Sequence, residues 1–278
     1  SPTMDEAYFI GVHGRELERL REQHAAWEPE TRALWDAAGF GSGQRLADLG
    51  SGPGFTSMDL AHIVGPSGRI VALGMASAYL EFLDAQAREY GLRNIEIREA
   101  DLTKLEFIEG GLDGAFCRFF LAFLVADLDQ VLACIFRSLK PGGVLATMEY
   151  LTLTTTACSP PIHGFDAHTQ AWIEYYARHG ADTAIGRALP QKLVAAGFTI
   201  EYRNCVGGSA GPSHRWWRWW GRLIEDFGEK LAADGLMTRD DMRALQAGWS
   251  KHSDVDDALI HTPVLLQLVA RKSSGGAA

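Results

Sequence analysis

Little in this chain of 278 residues points to a metal, a disulfide framework or a membrane span. Its four cysteines, Cys117, Cys134, Cys158 and Cys205, are scattered, and no two have C-x-x-C spacing. That spacing is what a zinc site or a redox pair would need. Reduced thiols and a cytoplasmic location are the expectation. The nine histidines fall at no metal-ligand spacing either, so no metal is expected. No apolar run approaches the length of a spanning helix. The N-terminus, Ser1-Pro-Thr-Met-Asp-Glu, lacks the apolar core of a secretory leader. Positive charge is short as well. With 26 Lys and Arg against 35 Asp and Glu the net charge is −9, which disfavours broad contact with nucleic acid or anionic membrane. What remains is the ordinary composition of a globular protein, 47% hydrophobic and 22% charged.

Against that background one short run stands out. Leu46-Ala-Asp-Leu-Gly-Ser-Gly-Pro-Gly54 ends an apolar stretch in Asp48 and then carries glycine at 50, 52 and 54. Apolar residues at helical spacing follow, from Phe55 to Val64. The pattern reads strand, glycine loop, helix. Glycine there permits positive φ and brings backbone close to a ligand, and amides at the helix start can face a polar group. Two better-known loops are missing. The Gly-Lys-Ser/Thr ending of a phosphate loop is absent, and the spacing is G-x-G-x-G rather than G-x-G-x-x-G.

The rest of the pattern places this loop in a parallel α/β domain. Strands are expected at 45–49, 69–73, 95–99, 112–116 and 144–151, with helices at 54–64, 77–90 and 126–139 between them. Alternation at this spacing implies βαβ units and a doubly wound sheet. Ahead of it, residues 15–37 read as helix, with Pro29 expected to break it. Beyond it come a loop at 152–164, a helix at 167–179, another from 185 to about 197, and a strand at 198–206. A helical excursion at 215–248, dense in Trp, leads to a last strand at 264–270.

The chain resembles the class I S-adenosylmethionine-dependent methyltransferases, in particular those acting on small molecules. Three motifs carry the likeness: Asp48-Leu-Gly-Ser-Gly-Pro-Gly54, Glu99-Ala-Asp-Leu102 after the third strand, and Leu139-Lys-Pro-Gly-Gly143 before the fifth. The resemblance implies a mostly parallel seven-stranded sheet with helices on both faces. A Rossmann-like core would take 41–206 and 262–272, with an N-terminal helical lid at 1–40, a helical substrate cap at 207–261 and a disordered tail at 273–278. It implies S-adenosyl-L-methionine as cofactor, leaving S-adenosyl-L-homocysteine. Gly50, Ser51, Gly52 and Gly54 would pass under the methionine and ribose, and Asp48 would order the loop. Asp101 would accept from the adenine amino group, with Leu102 donating its backbone N–H. Arg118 and Phe119 would line the methyl-donor pocket. Tyr8 would shield the sulfonium and Gln23 contact the methionine part; an aromatic anchor for the terminus is the other reading of Tyr8.

One departure concerns the second strand, which in this family ends in a carboxylate that accepts both ribose hydroxyls. Here Gly74 holds that position, followed by Met75, and no acid lies beside it. Weak cofactor binding, a substitute group and an altered variant all remain open; Gly74→Asp or Gly74→Glu is expected to tighten binding. In-line methyl transfer needs alignment and exclusion of water, and a base only if the nucleophile must lose a proton. Candidate bases are Glu149, in the fifth strand near the carboxyl end of the sheet where ligands of such folds bind, and His163 and His168, read as loop residues above the pocket. A structural hydrogen bond for Glu149 and solvated positions for the histidines are the plain alternatives.

The run His214-Arg-Trp-Trp-Arg-Trp-Trp-Gly221 puts Trp216, Trp219 and Trp220 on one helical face, and acids follow it. Core or substrate-cap packing is expected, with a bulky apolar or aromatic acceptor. The function that follows is O-, N- or C-methylation of a small organic molecule by a monomer or homodimer. The alternative is a related protein that binds the cofactor but cyclises or rearranges its substrate, or has lost methyl transfer.

Overall fold

Apolar residues on alternate sides of each strand create two cores, one on each face of a single sheet. The computed structural model describes residues 14–104 and 110–274. Tyr8, the first thirteen residues of the expected lid and the last four of the expected tail lie outside them. The central strands are β1 (Arg45–Leu49), β2 (Arg69–Gly74), β3 (Ile95–Glu99), β4 (Leu112–Arg118) and β5 (Leu139–Thr152), followed at one edge by β7 (Phe198–Val206) and β10 (Val264–Lys272). β6 (Ala157–Ser159), β8 (Ser209–Ala210) and β9 (Leu259–His261) form a separate small sheet. The main sheet has seven strands in the order β3-β2-β1-β4-β5-β10-β7. β3 through β5 run parallel, and β10 lies antiparallel to β5 and β7. This is the expected doubly wound sheet, with one antiparallel strand.

The helices are α1 (Gly14–Ala37), α2 (Phe55–Val64), α3 (Ser77–Glu89), α4 (Leu128–Ser138), α5 (Phe165–Arg178), α6 (Leu189–Ala195), α7 (Arg215–Ala233) and α8 (Arg239–His252). Leu46, Ile70, Phe116, Ala146 and Met148 face one core with α1 and α2. Ala47, Val71, Ala115 and Leu145 face the other with α4 and α6. Burying such side chains at about 25 cal/mol per Å² of apolar surface is the main force holding the layers.

Three features differ from the sequence reading. Pro29 does not end its helix; α1 runs through it. The missing N–H and ring clash cost about 3 kcal/mol, and burial of Trp27, Thr31, Leu34 and Trp35 on both sides of the proline holds the helix together. The Lys-Pro-Gly-Gly turn belongs to β5, where its four residues fall in the register shift between Leu112↔Leu139 and Gly114↔Val144. The helical excursion is two helices, α7 and α8. Trp27 packs against Trp216 and edge-on to Trp219 at 5.3 Å, and Trp217 stacks on Trp249 at 3.9 Å. The tryptophan run is therefore an interhelical core that joins α7 to α1 and α8. α5 also packs on α7 and α8.

Candidate active site

The glycine loop has the shape its sequence demands. Gly50, Gly52 and Gly54 have φ of 67°, 53° and 87°, a region in which a side chain is strained. The first and last are also crowded: a Cβ on Gly50 would lie 2.2 Å from the Phe120 ring, and one on Gly54 2.3 Å from Leu83. Gly52 has nothing within 4 Å at that point and lines a cleft that opens to solvent. The loop is pinned by Ser51 N–H donating to Leu73 O at 2.8 Å and Gly54 N–H to Ser51 O at 2.9 Å. Asp48, buried below, accepts from the Thr56 and Ser57 hydroxyls, both at 2.6 Å. Burial raises its pKa, against those bonds and the nearby charges of Arg118 and His24. Asp48 thus ties the end of β1 to the first turn of α2.

The other walls come from β4, α1 and α3. Arg118 donates to Thr31 Oγ1 at 2.8 Å and approaches His24 Nδ1 at 3.3 Å, while His24 Nε2 meets Asp59 at 2.8 Å. This chain of contacts fixes α1 against β4 and α2, so that Leu20 and Gln23 face the cleft. Tyr79 and Leu80 of α3 close the opposite side.

Immediately after β4 the backbone is strained. Phe119 has φ 52°, which for a bulky residue costs on the order of 1–3 kcal/mol. Glu149 holds it there. Its carboxylate, fully buried in β5, accepts from Phe120 N–H at 2.9 and 3.2 Å and from Leu121 N–H at 2.7 Å. Burial pushes its pKa up to about 7, against the pull of the Leu121, Phe120 and Ala122 N–H groups. This clamp presses the Phe120 ring onto Gly50 and turns Phe119 into the cleft, where it packs on Tyr150 at 4.8 Å.

A second, smaller cavity shares Gly50, Gly74, Met75 and Phe120 with the first and ends at Asp101 and Leu102. Asp101 Oδ1 accepts from the Thr103 N–H at 2.9 Å and hydroxyl at 2.5 Å. The glycine loop, Gly74, Met75, Asp101 and Leu102 therefore line joined cavities, with Asp48, Arg118, Phe119 and Gln23 around the larger.

The two histidines are elsewhere. His163 is exposed and hydrogen-bonded to Asp241 of α8 at 2.8 Å. His168 is not in a loop but in α5, fully buried between Trp172 and Trp220. Desolvation lowers its pKa to about 3, so the ring stays neutral and is no base. The sequence reading missed Tyr79, Phe120, Phe123 and Glu16. Glu16, one turn of α1 above Leu20, is buried beside Arg19 and Tyr79, and burial raises its pKa to about 7. Tyr79 had a signal, the Tyr79, Leu80, Leu83 stripe of its helix; Glu16 had none.

Glycine loop, acidic turn and a seven-stranded sheet with one antiparallel strand together define the class I methyltransferase fold, whose cofactor is S-adenosylmethionine. Residues 46–143 match the family model described as a methyltransferase domain. The demethylmenaquinone methyltransferase of Lactococcus lactis is 33% identical over 129 residues, 46% of this chain and 49% of that protein. This chain spans about half the length of several of the curated relatives it matches. Among solved structures, geranyl diphosphate methyltransferase aligns with TM-score 0.56 at 17% identity over 95% of this chain and 84% of that one. The [4+2]-cyclase SpnF aligns with TM-score 0.55 at 21% identity, covering 89% and 82%. Among the described residues no helix is long and apolar enough to cross a membrane.

Proposed function

We propose that this protein transfers a methyl group from S-adenosylmethionine to a small organic acceptor with an apolar or aromatic face. The observation that carries the reading is the pair of joined cavities, with the glycine loop at the junction and Asp101 at the far end. The residues fit the cofactor. The open face of Gly52 admits close backbone contact, Asp101 and Leu102 suit adenine, and Gln23 and Arg118 offer polar groups toward the amino-acid end. Bound there, S-adenosylmethionine supplies an electrophilic methyl group on a cationic sulfur.

The acceptor side is aromatic. Phe119 and Phe123 line the cleft. Phe123 contacts Tyr176 at 5.4 Å, Tyr176 stacks on Trp172 at 5.4 Å, and Trp172 contacts Phe227 at 4.6 Å. Such a wall desolvates an apolar substrate and favours a cation over its faces. α1 acts as a lid, and α7 and α8 as the cap over this side. Glu149 acts as a positioning residue, since backbone donors occupy its oxygens, and with His168 buried and His163 turned to Asp241 the cleft works chiefly by alignment.

The missing carboxylate at Gly74 supports a second reading, in which the cofactor is bound but the substrate is cyclised or rearranged. The experiment is incubation of purified protein with methyl-labelled S-adenosylmethionine and a fractionated metabolite extract. Label appearing in an apolar small molecule is expected. Cofactor bound in calorimetry with all label retained on the donor overturns methyl transfer in favour of the second reading.

A further inference from the structure

Gly74 ends β2 beside the glycine loop, where this fold class presents a carboxylate to the ribose. Its backbone does not require glycine by sign of φ, and a Cβ there would meet Leu80 Cδ2 at 3.1 Å and Ser51 Oγ at 3.4 Å. Ser51 Oγ thus lies beside the volume a side chain at 74 would begin to fill. It is buried, the residue being 6% exposed, and has no hydrogen-bond partner among the described residues. Yet Ser51 lines the larger cavity, next to the junction with the smaller one.

Among the described residues, the carboxylates lining the two cavities are committed elsewhere. Asp48 is held by two hydroxyls, and Asp101 by Thr103 at the far end of the smaller cavity. Glu99, the register partner of Gly74 on β3, is exposed, lines neither cavity, and sits 3.4 Å from the Ser77 hydroxyl. A buried hydroxyl left unmet is costly, and one that borders a ligand cleft is met when the ligand brings a hydroxyl of its own.

We propose that Ser51 Oγ takes the place of the absent carboxylate and receives the nucleoside ribose of the cofactor through a single neutral hydrogen bond. The inference rests on the cofactor reading above. It fixes a specificity. A carboxylate accepts two hydroxyls with charge assistance, whereas a serine hydroxyl engages one, as donor or acceptor. The site therefore distinguishes one ribose hydroxyl, and only modestly.

The test is titration calorimetry with S-adenosylhomocysteine and its 2′-deoxy and 3′-deoxy forms. In the wild type one deoxy form binds about threefold to tenfold more weakly than the parent, the range of one neutral hydrogen bond, and the other binds like the parent. Ser51→Ala binds all three alike, with its unfolding midpoint unchanged or raised because an unpartnered hydroxyl has been removed. Gly74→Asp, which needs only a small shift of Leu80, restores discrimination at both hydroxyls. Undiminished discrimination in Ser51→Ala overturns the assignment. So does equal loss with both deoxy forms in the wild type. If the parent compound fails to bind the wild type, the cofactor reading falls and this inference with it.

Discussion

Replacing Glu149 with Gln tests whether the floor of the cleft rests on a buried, protonatable clamp. The carboxyl is fully buried and its pKa is raised from 4.5 to about 7. Between those values the folded chain keeps a proton that the unfolded chain has released. Its contribution to stability is therefore complete below about pH 4.5 and is lost as pH rises through about 7. At about 1.4 kcal/mol for each unit of difference in pKa, the loss amounts to about 3–4 kcal/mol. Glu16 and Asp48, whose pKa values are also raised by burial, slope the same way, so the wild type alone does not isolate Glu149. The difference between wild type and Glu149→Gln does. The amide offers Phe120 and Leu121 N–H the same acceptor oxygen but does not ionise. Urea unfolding between pH 4.5 and 8 should give nearly equal stabilities for the two proteins at the acid end. At the alkaline end the variant should be the more stable by about 3–4 kcal/mol. Parallel pH profiles would refute the argument, because they would mean that the group ionises as a solvated carboxyl does. Glu149→Ala supplies the contrast. It leaves two buried N–H groups unmet at about 1–3 kcal/mol each, and is expected to be less stable than wild type at the acid end, with the gap narrowing as pH rises through about 7.

Gly50→Ala is expected to weaken S-adenosylhomocysteine binding at least tenfold in calorimetry. The left-handed backbone costs about 1–2 kcal/mol, and the new methyl displaces Phe120 from the junction of the two cavities; unchanged affinity would show that this contact does not shape the site. Trp217→Ala removes the stack on Trp249 and the hydrogen bond to Ser253 at 3.0 Å. It should cost about 3–5 kcal/mol in urea unfolding while leaving affinity for the cofactor product unchanged, and a parallel loss of binding would contradict the separation of the two regions.

The fold was legible wherever structure is local and periodic. The expected bounds of β1 and β7 coincide with those observed, because apolar alternation closed by glycine or a turn decides them. The small sheet β6-β9-β8 was not foreseen: its strands have two or three residues, and their pairing brings residue 157 to residue 261, which no window reads. Pro29 carried a strong local signal that lost to tertiary packing, since the cost of one proline is smaller than the burial of two tryptophans and a leucine on the same helix.

The site divides along the same line. The glycine loop and the Asp101 turn are each contiguous, so their residues come together as soon as the strands pair. Glu149 was singled out by its position at the carboxyl end of β5, but position alone does not tell a base from a clamp. The distinction lies in which backbone amides reach it, and those belong to a turn 28 residues earlier. His168 is the instructive miss, because the missing information was in the sequence. Phe165, His168, Trp172 and Tyr175 follow one another at intervals of three, four and three, the spacing of a buried helical face, and all four are buried in α5. The helix expected at 167–179 already contains His168, and this spacing puts its imidazole among tryptophans instead of over the cleft. A ring there is desolvated and held neutral, so the residue type that most often signals acid-base chemistry is here part of the apolar core that supports α7.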